Sequence, residues 1–161
     1  MAAGDTLVAF DALANLPPAS NYATLALRGD FVVLRFSSSG NQRAAFVAVA
    51  PSVYSGNGVT CVVHYTTETA TSGAALLRLS VTPIAPGESL ESPTAAPQNA
   101  EATLTAPSAA GDLAEQQSLS MPLSSASKGQ HFMLSAERLA SDPSDTLADG
   151  LEIVSIELKE S

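Results

Sequence analysis

The sequence predicts an all-β protein, an antiparallel β-sandwich that is jelly-roll-like and carries a long Pro-rich loop. Three observations predict this class. Many short segments alternate apolar and polar residues with a period of two, turn clusters rich in Gly, Asn and Ser separate them, and helical periodicity is scarce. A chain of 161 residues is long enough to bury one sizeable core, so we expect a single domain over 1–161.

The clearest strand lies between Gly58 and Thr66, where Val59, Cys61, Val63 and Tyr65 share one face. A second runs from Ala74 to Pro83 with alternating apolar positions. Seven more segments fit strands: Thr6–Phe10, Ala23–Leu27, Phe31–Phe36, Ala44–Val49, Leu113–Met121, Phe132–Arg138 and Glu152–Leu158. Single helical turns are expected near Ala70–Ala75 and Ser124–Gln130. This number of short strands favours a sandwich or barrel.

Turn residues mark the connections between the strands. Arg28-Gly29-Asp30 separates two apolar runs and predicts a tight hairpin with Gly at its centre. It also spells a tripeptide that some adhesion receptors bind, but a turn is the simpler interpretation. Tyr54-Ser55-Gly56-Asn57-Gly58 is another turn cluster, so we expect the Tyr54 ring at the surface.

Two segments interrupt the strand pattern. Ala85–Ala100 contains three prolines and few large apolar residues, and so predicts a long surface loop or an extended arm ordered by a neighbour. Leu13–Ser20, within a possible N-terminal arm over 1–20, is a second such segment. The residues expected to contact a partner are Pro17, Pro18, Pro86, Glu88, Leu90, Pro93 and Pro97.

The charge balance bears on the kind of partner. Lys and Arg total 7 against 16 Asp and Glu, for a net charge of -9, and only 14% of residues are charged. A nucleic-acid or anionic-membrane surface needs clustered cations, so we expect neither as a partner. The low charge density favours burial of surface against copies of the chain, and a homo-oligomer is expected. Without a basic apolar leader or a long apolar run, synthesis in the cytoplasm is expected.

No constellation of residues predicts catalysis or a metal site. His64 and Cys61 are three residues apart and fall on opposite faces of one strand, so they cannot hold one zinc ion. No nucleophile elbow or phosphate loop is present. The acidic run Ser141–Gly150 offers oxygen ligands for calcium, but its spacing differs from the EF-hand loop. We therefore expect no enzyme, no cofactor and no metal.

A resemblance to a known family rests on four stretches of sequence. They are M-A-A-G-D-T-L-V-A-F-D-A-L-A-N-L-P-P-A-S-N-Y-A-T-L at the start, F-V-V-L-R-F at Phe31–Phe36, V-T-C-V-V-H-Y-T-T-E-T-A-T-S-G-A-A-L-L-R-L at Val59–Leu79, and G-L-E-I-V-S-I-E-L-K-E at Gly150–Glu160. Together they resemble small virion proteins of tailed bacteriophages, over roughly the whole chain and most clearly its first half.

The resemblance implies a jelly-roll sandwich on a phage particle. It favours a decoration or cement protein on the outer face of the capsid, with the major capsid protein as partner and a trimer as one possible oligomer. A negative charge suits the outside of a DNA-filled shell. A tail or fibre module that binds a receptor or glycan, using Tyr54 or the acidic loop, is the alternative. A hydrolase built on a Ser, His64 or His131, and an Asp is the third hypothesis.

Overall fold

The computed structural model describes residues 2–124 and 128–161 and shows an antiparallel β-sandwich. Within these residues, ten strands make up nearly all of the regular structure. They are β1 (Thr6–Asp11), β2 (Thr24–Arg28), β3 (Phe31–Phe36), β4 (Gln42–Val49), β5 (Asn57–Thr67), β6 (Ala74–Ile84), β7 (Gln98–Thr105), β8 (Ala114–Ser124), β9 (His131–Arg138) and β10 (Leu151–Glu160). The predicted all-β class and the nine predicted strands are confirmed.

The strand order is that of a jelly roll. One sheet runs β2-β3-β10-β5-β8, with β1 paired to the far end of β10, and the other runs β4-β9-β6-β7. All pairs within the two sheets are antiparallel. From β3 to β10 the chain crosses between the sheets at every connection except the β6–β7 hairpin, which is the double Greek-key path of this fold.

The core lies between the two sheets and is built from the alternate positions that the periodicity predicts. On β5, Val59, Cys61, Val63 and Tyr65 all point inward and are buried. Burial raises the pKa of the Cys61 thiol far above its usual range, because the thiolate would lie among apolar side chains. Cys61 is therefore a small core residue, as its position in the strand predicts.

One strand was not predicted. β7 begins at Gln98, so the Pro-rich loop ends at Pro97 rather than at Ala100. The inward positions of β7 include Ala102 and Leu104, and both are buried. Alanine occupies inward positions of β7, so the expectation that a core strand contains several large apolar residues does not detect this strand.

Helix is confined to one 3-10 turn within the described residues, at Ala12–Ala14. The Asp11 carboxylate caps it by accepting hydrogen bonds from the Leu13 and Ala14 amides. The turn expected over Ala70–Ala75 is wrong, since this stretch is a bend that leads into β6. The second expected turn, at Ser124–Gln130, overlaps residues 125–127 outside the described part. Within the described part, no helix has the length and apolar character needed to cross a membrane.

A buried arginine joins the two sheets at one end of the sandwich. Arg138 is fully buried, and each of its five guanidinium N–H groups donates a hydrogen bond. Two go to the Asp145 carboxylate, at 2.9 and 2.8 Å. The other three go to main-chain oxygens of Phe36, Leu147 and Asp149. The acidic loop is thus tied to the core through a charge pair that is removed from water.

Candidate functional site

A small groove lies on the outer face of the β3-β10-β5 region. The β2–β3 hairpin forms one wall and the loop before β8 forms the other. Its volume is about 140 Å³, and it is lined by Arg28, Phe31, Val33, Thr66, Gly111, Leu113 and Val154. Phe31 and Leu113 stand at its rim with 68% and 66% of their surface exposed. Two exposed apolar side chains therefore flank a groove that is smaller than the roughly 300–1,000 Å³ of common ligand pockets.

The hairpin wall follows directly from the Arg28-Gly29-Asp30 turn. Arg28 pairs with Phe31 across a two-residue loop, and Gly29 has φ +60. A loop this short needs a glycine for its positive φ at the first position, which explains why the chain turns here. The turn predicted from the sequence is confirmed, and it places Phe31 at the groove.

Thr66 supplies a polar group to the groove. The residue is only 2% exposed, and its Oγ1 has no hydrogen-bond partner among the described residues. A buried hydroxyl without a partner costs about 1–3 kcal/mol relative to one that is satisfied. Its neighbours in the groove include the apolar Val33 and Val154. This oxygen is itself closed to solvent, so it meets a ligand in the groove only if the Thr66 side chain rotates.

Arg28 is held in place by a buried carboxylate. Glu152 on β10 is fully buried, and its two oxygens are shared between two arginines. Oε2 accepts from Arg28 Nε at 2.8 Å, and Oε1 accepts from Arg35 Nη2 at 2.7 Å. Arg28 Nη2 also donates to the main-chain oxygens of Thr67 and Glu68. These bonds fix the hairpin against the sheet.

The charges beside the groove cancel. Arg35 pairs with Glu68 at 3.0 Å as well as with Glu152, so two arginines meet two glutamates. The hydrogen bond to Glu152 is the main cause that raises the pKa of Arg35 above its ordinary value. The groove wall therefore carries little net charge, and it does not favour an anionic ligand over a neutral one.

A second, wider cleft lies at the other end of the β3 strand. It has a volume of about 400 Å³, and Arg35, Glu68 and Asp149 are among its lining residues. Asp149 Oδ1 is buried and has no partner within the described chain, but its Oδ2 accepts from Thr69 and Ala70 amides. No aromatic or large apolar side chain lines this cleft, so it lacks the ring platform that the groove has.

The sequence predicts a possible glycan site at Tyr54 or in the acidic loop, and the structure corrects the first of these. Tyr54 is fully buried; its hydroxyl donates to the Leu123 oxygen and accepts from the Gly58 amide at 2.8 Å. Desolvation raises the pKa of this phenol above its ordinary value. In the acidic loop, Asp145 is engaged by Arg138. Neither Tyr54 nor this carboxylate is available to a ligand.

The two histidines do not form a nucleophilic site within the described residues. His64 lies between two carboxylates, with Nδ1 3.6 Å from Glu115 and Nε2 3.3 Å from Glu157. His131 is exposed on the other sheet, where it pairs with Val49 of β4. Neither ring is arranged with a Ser and an Asp as the hydrolase hypothesis requires.

The residues expected to contact a partner lie on the surface, in two separate regions. Pro17 is exposed and Pro18 half-buried, and both line a cleft of about 460 Å³ beside β2. In the Pro-rich loop, Pro86, Leu90 and Pro97 are exposed, whereas Glu88 and Pro93 are half-buried. The Glu88 carboxylate accepts from the Ala85 amide at 2.8 Å, and this bond lowers its pKa. Their role as contacts stays a prediction.

Sequence reasoning did not find the groove residues. Alternation along the strand puts Thr66 on the face opposite to Tyr65, but its lack of a partner depends on which side chains cover it. Phe31 was read as the first residue of a strand, and nothing local shows that its ring is exposed. The order Arg-Gly-Asp-Phe could have located Phe31, because a two-residue turn puts the residues that flank it, Arg28 and Phe31, on one face of the hairpin.

Comparison with known proteins supports the fold. No protein-family model matches the sequence, and no curated protein sequence matches it. Among solved structures, the chain is similar to the CBM22-1 xylan-binding domain of Paenibacillus barcinonensis Xyn10C, with a TM-score of 0.53 and 12% identity over 98% of this chain and 95% of that one. It is also similar to part of the arabinose-bound α-L-arabinofuranosidase MgGH51, at a TM-score of 0.50 and 11% identity over 98% of this chain and 25% of that one. At these identities the likeness shows a shared β-sandwich fold.

Proposed function

We propose that this protein is a non-catalytic binding module that holds one residue of a carbohydrate in the groove between Phe31 and Leu113. The observation that carries the proposal is the groove itself, in which the exposed Phe31 and Leu113 flank largely apolar walls beside the unpartnered Thr66 hydroxyl. A binding site of this kind combines apolar walls with a few placed polar groups.

The chemistry of the groove fits a sugar ring. A pyranose has apolar C–H faces and a rim of hydroxyl groups. Phe31 offers an exposed ring for a C–H face, and a rotation of the Thr66 side chain would turn its buried hydroxyl toward the sugar, to donate or to accept a hydrogen bond. The groove has a volume of only about 140 Å³, so no more than a single ring, at a chain end or a branch, would sit in it.

The charge balance points to a neutral sugar. Arg28 is the charged residue that lines the groove, and its charge is balanced by the buried Glu152. The protein as a whole carries a net charge of -9, which repels acidic glycans at a distance. The fold supports the proposal as well, since a solved structure that shares it is described as a xylan-binding domain.

The test is an array of neutral and uronic-acid glycans, followed by calorimetric titration of the best neutral sugar. We expect Phe31→Ala to weaken binding at least about fivefold, because truncating an aromatic contact costs more than ~1 kcal/mol. Val49→Ala is the matched control, since Val49 is a half-exposed apolar residue on the opposite sheet. No binding on the array, or equal affinity of both variants, would refute the proposal.

A role in decorating a phage capsid is the second proposal, and one observation favours it. Leu90 is 79% exposed in the Pro-rich loop, where a large apolar side chain gains from contact with a partner. The test is the number of copies per purified phage particle relative to the major capsid protein. Comparable copy numbers would support decoration of the outer shell. A few copies per particle would support a tail or fibre location, and absence would end the virion assignment.

A further inference from the structure

The edge of the sheet at β2 is open and apolar. β2 pairs with β3 on one side only, and Leu25 and Leu27 are 56% and 71% exposed. Natural edge strands are usually protected by charged side chains, prolines or a covering segment. The only charged residue of β2 is Arg28, and its guanidinium is turned onto Glu152. Nothing in the described chain therefore protects this edge.

In the other sheet, by contrast, the edge strand β4 is covered by the N-terminal segment. Along β4, the Arg43 amide donates to the Asn21 oxygen, and Ala45 exchanges hydrogen bonds with Leu16 and Asn15. The N-terminal segment thus satisfies the β4 edge, and its Leu13, Pro17 and Tyr22 line a cleft together with Leu25 of β2. With the exposed Leu27 these residues form one apolar surface, which we call the β2 surface: Leu13, Pro17, Tyr22, Leu25 and Leu27.

We propose that the β2 surface binds the same surface of a second copy of this chain, with the two β2 strands paired antiparallel about Ala26. The strand sequence T-L-A-L-R is self-complementary in this register. Leu25 of one copy lies opposite Leu27 of the other, so all four leucines are buried on one face. This contact is isologous and closes as a dimer.

The main-chain groups fit this pairing. The two-residue turn makes Arg28 and Phe31 a hydrogen-bonded pair, and such pairs alternate along an antiparallel ladder. The N–H and C=O groups of Leu27 and Leu25 therefore point to the open side. In the proposed register each of these leucines meets the other across the interface, and both become hydrogen-bonded pairs. Ala26 then faces Ala26 of the second copy as the close, non-hydrogen-bonded pair.

The charge and the exposed apolar area of the β2 surface also favour contact between two copies. None of the residues of the β2 surface is charged, although the chain carries a net charge of -9, so the copies meet where their repulsion is least. A stable interface buries roughly 800 Å² on each partner. Four large side chains that are about half exposed or more provide the apolar centre of such a surface.

The dimer would join the two β2-bearing sheets into one continuous sheet. Its two-fold axis is perpendicular to that sheet, so the two grooves open on the same side. This consequence rests on the proposed function, whereas the dimer itself does not. Two grooves on one side would bind a polymeric glycan surface with avidity that neither has alone.

The first test is molecular mass by light scattering during size-exclusion chromatography at about 100 μM. We expect a dimer for the natural chain and a monomer for Leu27→Lys, which puts a charge on the open edge. Val49→Lys makes the same kind of change on an exposed position of β4 and should stay dimeric. A monomeric or trimeric natural chain, or a dimeric Leu27→Lys, would overturn the proposal.

The second test examines the register. Ala26→Cys should form an intermolecular disulfide under mild oxidation, because the paired residues are close and not hydrogen-bonded to each other. Val47→Cys, which is exposed on β4, should not. A dimer in which Ala26→Cys does not crosslink would overturn the β2–β2 register. Loss of glycan binding with the dimer intact would refute the groove and leave this interface standing.

Discussion

Replacing Thr66 by valine should make the free protein more stable while weakening its binding of a sugar. The residue is 2% exposed and its hydroxyl has no partner in the described chain. Valine has the same branched shape and suits a strand equally well. Removing an unsatisfied buried hydroxyl recovers about 1–3 kcal/mol, and for a protein of this size each kcal/mol shifts the Tm by roughly 2–4 °C.

The effect on binding has the opposite sign. If the sugar supplies the missing partner, valine removes one hydrogen bond from the complex, which is worth about 0.5–1.5 kcal/mol, or roughly two- to tenfold in Kd. A residue that is only structural would not improve stability while reducing affinity. The assays are urea unfolding for the free energy and calorimetric titration for Kd.

The adjacent residue provides a matched control. Thr67 is also fully buried, but its hydroxyl donates to the Ala70 oxygen. Thr67→Val should therefore lower the free energy of unfolding by about 1 kcal/mol and leave the groove intact. If Thr66→Val is as destabilising as Thr67→Val, the Thr66 hydroxyl has a partner and the reasoning is refuted.

Three further predictions concern the core. Asp145→Asn should cost roughly 3–5 kcal/mol in urea unfolding because it leaves the buried Arg138 uncompensated, whereas Glu101→Gln, in an exposed pair, should cost under about 1 kcal/mol; equal losses would contradict this. Cys61 should react with a thiol reagent only after unfolding, since burial raises its pKa; rapid labelling of the native protein would contradict its placement. Burial also raises the pKa of Tyr54 above 10.0, so its neutral form is favoured in the fold and stability should fall as the pH rises through 10.0. In urea midpoints measured from neutral to alkaline pH, Tyr54→Phe should lose less stability than the natural chain, and an identical decline would contradict this.

Much of the fold could be predicted because its determinants are local. Alternation along β5 and β6 places the inward residues correctly, and Arg28-Gly29-Asp30 identifies a hairpin from its turn chemistry. The strand β7 was not predicted because Ala102 provides little hydrophobic signal of its own. It is a core residue only because of the strands it packs against.

The site could not be predicted in the same way because it depends on distant contacts. Arg28 and Glu152 are 124 positions apart in sequence, and their pairing decides where the hairpin lies over the sheet. Tyr54 shows the opposite case, a residue that the sequence predicts to be exposed and that is buried. Its position in a turn indicates exposure, but its hydroxyl bonds to main-chain groups inside the sandwich.

The most direct test of the proposed function is an amide NMR titration of the isotope-labelled protein with the neutral sugar selected on the glycan array. We expect the shift changes to concentrate at Phe31, Thr66 and Leu113, with little change along β4 and β9. Shift changes centred on the outer face of the β4-β9-β6-β7 sheet, or none at saturating sugar, would contradict the assignment of this groove as the ligand site.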